Sequence, residues 1–239
     1  MYIFFCIYKI KAYTNTPMKK IMPQYTHRQE IWNSLTHLVG VVFSFIVLSI
    51  FIVLQVRFSL SIKYMYPFYM YFGFMLVVFL NSTLYHSSPM NSKIRLVCRM
   101  IDHCDIYLFV AGTYTPICLR EIADVPIAVS LTSIQYFLAI VGVLVTIFGL
   151  GKKKWDVVGY IIYIIQGWAV IFFYPFKQVL DFNVFIFILS GGVLYTIGAV
   201  AYAVGKHKSK WFHTIFHLNI VVAAIVQFIG IYNIFCPFF

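Results

Sequence analysis

The chain has 239 residues, 62% of them hydrophobic and only 10% charged, which excludes an ordinary soluble domain. That length holds about seven membrane spans of roughly 20 residues with short loops, and no separate soluble domain. The formal charge of +11 lies in small clusters between apolar runs, a topology signal and not the continuous basic face that nucleic acid requires.

Residues 1–29 read as a cytoplasmic N-terminal segment ahead of a transmembrane domain over 30–239. Its opening run, MYIFFCIYKIKA, is too short to span and lacks the basic start of a signal peptide. Because Met18-Lys19-Lys20 looks like a natural chain start, residues 1–17 read as an over-long start. Cys6, Cys98, Cys104, Cys118 and Cys236 contain no CxxC pair, so neither a disulfide framework nor a thiolate zinc site is expected.

Apolar segments follow at about 33–56, 64–85, 100–119, 126–149, 156–176, 182–205 and 211–235. In lipid such segments must be helices, because only a helix satisfies its own backbone. The expected fold is therefore an all-α membrane protein, a seven-transmembrane-helix bundle. Gly73, Gly142, Gly167, Gly191 and Gly198 are candidates for close helix approach. Of the 18 Lys and Arg residues, fourteen fall on the side of the N-terminus and four in the alternate loops. The positive-inside rule then puts the N-terminus in the cytoplasm and the C-terminus outside, in a multi-pass protein of the cytoplasmic membrane. This orientation is opposite to that of a G-protein-coupled receptor. The seventh segment also lacks the Lys that a retinal protein needs for its Schiff base.

The polar residues of the spans gather at the inner face. His213 and His217, at the head of the seventh segment, are four apart and share a helix face. His86 ends the second segment at the same level, with Ser82 one turn before it. Three histidine nitrogens and an open fourth position form the pattern of a catalytic zinc site. The apolar part of the third segment, 106–119, is too short to span, so the helix must take in the preceding turn with Asp102, His103 and Asp105. Glu30, Asn33 and His37 share one face of the first helix and read as surroundings of the site. His37 reads as a packing hydrogen-bond donor in preference to a direct ligand, and Asp105 as a partner of Arg99 or of a neighbouring helix end. His27 and His207 read as loop residues.

Five blocks, in order, resemble the hemolysin III family: Glu30-Ile-Trp-Asn33-Ser-Leu-Thr-His37, Ser82-Thr-Leu-Tyr-His86, Asp102-His-Cys-Asp105-Ile, Ala111-Gly-Thr-Tyr-Thr-Pro116 and His213-Thr-Ile-Phe-His217. These bacterial membrane proteins are related to the progestin and adipoQ receptors and, more distantly, to alkaline ceramidases, in a superfamily of membrane hydrolases. The resemblance implies Zn²⁺ held by His86, His213 and His217, with Asp102 and Ser82 as companions of the catalytic water. It assigns no role to Asp105. The large cytoplasmic N-terminal region of the animal receptors is missing, which argues against hormone reception.

The expected function is zinc-dependent hydrolysis of a lipid amide or ester at the inner leaflet, serving membrane lipid homeostasis. The motif His213-Thr-Ile-Phe-His217 lacks the Glu of an HExxH zincin, so Asp102 is the candidate base and Ser82 would orient the water or the oxyanion. Membrane lipids are the expected partners; nucleic acid is not, and no protein partner is identifiable. The alternatives are a cytolysin or channel, and a non-catalytic sensor or receptor of membrane state with a structural zinc.

Overall fold

The structure, a computed structural model, describes residues 22–122, 125–149, 152–172, 180–205 and 207–239. The proposed over-long start and Cys6 lie outside these residues. Among the described residues all regular structure is helical: α1 (His27–Arg57), α2 (Ile62–Ser87), α3 (Lys93–Pro116), α4 (Val125–Gly149), α5 (Lys153–Gly167), α6 (Phe182–Gly205) and α7 (Trp211–Asn233). A π-helical turn, Ile117–Glu121, extends α3, the single turn Ala169–Phe172 follows α5, and a 3-10 turn, Cys236–Phe238, ends the chain.

Five of the seven helices are long and apolar enough to cross a membrane: α1, α2, Pro126–Gly149 of α4, α6 and α7. The other two depart from the expected segments. α5 has 15 residues and stops at Trp168, so the single segment expected over 156–176 is broken. α3 starts at Lys93 and not near residue 100, because the Ser92 hydroxyl accepts from the Arg95 backbone N–H at 3.0 Å and caps it. Asp102 and Asp105 consequently lie inside α3, and Arg95 and Arg99 belong to the helix and not to a loop.

α1 shows how the sequence sorts its faces. Asn33, His37, Gly40, Ser44, Val47, Phe51 and Leu54 recur at spacings of three and four and are buried. Val39, Val42, Phe45, Ile46, Val53 and Val56 are exposed. The outward face is thus predominantly apolar, its exposed Ser49 hydroxyl donating back to the Phe45 carbonyl, and most polar residues turn inward, as lipid demands. The buried stripe is itself graded. Its first turns are polar, and its last turns join an aromatic cluster in which Phe68 and Phe235 lie 4.4 Å apart beside Phe51.

α1 packs on α2 and α7, α2 on α3, α3 on α4 and α5, and α6 on α7. Contacts give the directions. Glu30 meets His86 and Phe51 meets Phe68, so α1 and α2 are antiparallel. His37 meets His217 and Phe51 meets Phe235, so α1 and α7 run together. The N-terminal ends of α1, α3 and α7 therefore share one level with the C-terminal end of α2. Gly40 permits the α1–α2 approach: a Cβ there would lie 2.4 Å from the Phe79 ring. Gly142 and Gly191 are similarly filled, by Tyr107 and Gln227, and Gly198 faces Asn219. Gly73 and Gly167, by contrast, face open space and mediate no close approach.

Candidate metal centre

The centre is assembled from helix ends. A capping box starts α1: the Gln29 N–H donates to the Thr26 hydroxyl at 3.3 Å, and the Thr26 N–H to the Gln29 side chain at 3.0 Å. The next residue, Glu30, is thereby set in the first turn facing α2. One turn on, Asn33 is fully buried and accepts the Thr214 hydroxyl of α7 at 2.5 Å through its side chain.

His86, His213 and His217 converge, with one nitrogen from each ring within 4.8 Å of the others. His213 Nε2 is 3.3 Å from His86 Nε2 and 3.0 Å from His217 Nε2. The outer ring nitrogens fix two tautomers. His217 Nδ1 lies 3.3 Å from the Asn33 carbonyl, which can only accept, so the proton is on Nδ1. His86 Nδ1 lies 2.7 Å from a Glu30 carboxylate oxygen and likewise donates. Neutral His86 and His217 both turn a bare Nε2 lone pair inward. A proton on His213 Nε2 satisfies only one of them.

A cation bound there would resolve that conflict. Ligands about 2.0–2.1 Å from a tetrahedral zinc stand roughly 3.3 Å apart, close to the 3.0 and 3.3 Å found here. The donor set therefore fits a borderline metal ion. Aromatic rings close the site on the other side: Tyr25 stacks on His213 at 5.1 Å and Tyr202 lies 5.3 Å from it.

The family model described as Haemolysin-III related matches residues 25–228. The chain belongs to the haemolysin III family. It is 31% identical to Hemolysin-3 of Bacillus cereus over 202 residues, 84% of this chain and 89% of that protein. With the Hemolysin-3 homolog of Bacillus subtilis (strain 168) it shares 30% over 205 residues, 85% of this chain and 93% of the relative. The resemblance read from the five blocks is thus borne out. With several helices able to cross a membrane, this haemolysin III chain is a multi-pass membrane protein.

The remaining residues singled out in the sequence differ in what they touch. Ser82 is buried one turn before His86. Asp102 lies 3.3 Å from the ring of its neighbour His103. His37 places its ring 4.0 Å from that of His217, but neither of its buried ring nitrogens has a hydrogen-bond partner. Among the described residues the expected packing hydrogen bond is not made, and the ring packs against those of Phe79 and His217. Asp105 accepts from the Asn81 side chain of α2, a partner the sequence reading did not include. His207 is exposed in a turn, whereas His27 opens α1.

Sequence reasoning missed Arg95. Counted among the loop cations, it is 1% exposed and bonded to Glu30. Its signal was helical phase, since Arg95 and Asp102 are seven apart on one face of α3.

Proposed function

We propose that this protein is a zinc-dependent hydrolase of a lipid amide or ester, acting at the inner leaflet of the cytoplasmic membrane. The observation that carries the reading is the convergence of His86, His213 and His217, two of whose Nε2 atoms have their lone pairs turned inward. When bound there, Zn²⁺ supplies Lewis acidity toward a carbonyl oxygen and toward water. Asp102 takes a proton at its carboxylate as general base, and the Ser82 hydroxyl donates a hydrogen bond to the oxygen that gains charge. Asn33 and Glu30 hold the imidazoles, and His37 closes the site from α1. The reading has all seven helices spanning, N-terminus in the cytoplasm and C-terminus outside, which brings the imidazoles to the headgroup level where scissile lipid bonds lie.

Zinc content of detergent-purified protein tests the metal. Wild type should carry about one equivalent and His217→Ala far less; wild type without stoichiometric zinc sinks the reading. Release of fatty acid from ceramide-like or lysolipid substrates, abolished by Asp102→Ala, tests the chemistry. Bound zinc with no turnover across a broad lipid panel would leave the site structural or sensory.

A second reading is favoured by the relatives' names, Hemolysin-3 and Hemolysin-3 homolog: a cytolysin or channel. Ion flux through liposomes containing the purified protein would support it. The buried carboxylate and imidazole side chains of α1, α2 and α7, Glu30, His37, His86 and His217, gather at one end of the bundle. Arg57 and Lys63 lie at the other, and no charged side chain of these helices lies between, so they present no continuous charged path.

A further inference from the structure

The three imidazoles are not held alike. His217 has a neutral carbonyl at its outer nitrogen, and the buried outer nitrogen of His213 has no hydrogen-bond partner. Only His86 has an anion, Glu30. That carboxylate uses both oxygens: one accepts from His86 and the other from the Arg95 guanidinium. Arg95 in turn donates to the Tyr85 carbonyl at 3.0 Å and the Ser88 carbonyl at 2.9 Å, and lies 4.7 Å over the Tyr85 ring. A guanidinium 1% exposed is costly to bury. Here its charge is met by a carboxylate on α1 while its Nη1 donates to two carbonyls at the end of α2.

We propose that Arg95 is a positioning residue of the metal centre, acting from α3 through Glu30 on His86. Arg95 fixes the orientation of the Glu30 carboxylate. Glu30 keeps the His86 proton on Nδ1 and makes its Nε2 a stronger donor to a divalent cation. Carboxylates behind ligating histidines have this effect on metal affinity in general. The proposal rests on the three-His metal site and adds what sets its affinity. Three helices are thereby tied to one ligand: α3 carries the cation, α1 the carboxylate and α2 the imidazole.

The test is competition titration of purified, metal-stripped protein in detergent, with Zn²⁺ against a chromophoric chelator at fixed pH. Glu30→Gln, nearly isosteric, should bind Zn²⁺ about 10- to 100-fold more weakly than wild type. Arg95→Met should match it, and Arg95→Lys, which keeps the charge, should lie between Met and wild type. The double variant Glu30→Gln/Arg95→Met buries no unpaired charge. It should regain the thermal stability that Arg95→Met loses without regaining zinc affinity. Unchanged affinity in Glu30→Gln, or affinity restored by the neutral double variant, overturns the proposal while leaving the metal site intact. Failure of wild type to bind Zn²⁺ overturns the metal-site reading as well, so the two failures are told apart.

Discussion

Asn33 connects two helices by two routes. Its side chain receives the Thr214 hydroxyl, and its backbone carbonyl receives the His217 ring. Truncation to Ala removes the first route only. Interhelical hydrogen bonds in lipid contribute modestly, so Asn33→Ala should cost roughly 0.5–1.5 kcal/mol. Thr214→Val should cost a similar amount, and the double variant less than the sum, as measured by unfolding in detergent. His37 makes the opposite case. Its two ring nitrogens are buried without partners, and an unmade hydrogen bond costs about 1–3 kcal/mol. His37→Phe should therefore raise the unfolding midpoint by several degrees and lower lipid turnover. A variant both less stable and fully active would show that the ring serves packing alone.

At the scale of the element, the bundle depends on a few close approaches. Adding a Cβ at Gly40 puts it 2.4 Å from a Phe79 ring that is itself fully buried. Gly40→Ala should destabilise by about 1–3 kcal/mol and weaken zinc retention, since α1 carries Glu30 and Asn33. Gly73→Ala, facing open space, should be neutral or slightly stabilising through helix propensity. Thermal unfolding of the two variants side by side checks both. The same contrast shows where the sequence stopped being legible. All five glycines look equivalent in an apolar run, and only helix rotation decides that Gly142, Gly191 and Gly198 meet a neighbour. The 182–205 segment coincides with α6 because charge and Gly bound it sharply. The α3 start was misplaced because Lys93, Arg95 and Arg99 read as loop by polarity, while Ser92 is a one-residue cap signal. The i, i+4 spacing of His213 and His217 was readable because it is local. The pairing of Glu30 with His86, 56 residues away, depends on how α1 and α2 are rotated.

For the molecule as a whole, orientation can be read from its thiols. Cys236 is exposed at the far end of α7, and Cys104 and Cys118 are buried. With the C-terminus outside, a membrane-impermeant maleimide should label Cys236 in intact cells, and Cys236→Ala should remove most of that label. Labelling that appears only after permeabilisation would invert the topology. Bound metal should also register globally. Zinc at 100 times its dissociation constant adds about 2.7 kcal/mol to the folded state, so stripping with a chelator should lower the unfolding midpoint of wild type and leave His217→Ala unmoved.

The last helix lies beside the first, and the candidate centre is shared between them and α2. This arrangement sets an order in time. When a ribosome has delivered the chain as far as α6, His86 stands alone beside Glu30, and a single imidazole holds a divalent ion only weakly. The other two imidazoles arrive with α7. Any ion bound by all three imidazoles must then be captured after α7 has been made, from the pool available at the membrane face. A chain cut short of α7 offers a single imidazole, and retention of an ion would report that α2 and α7 have come together.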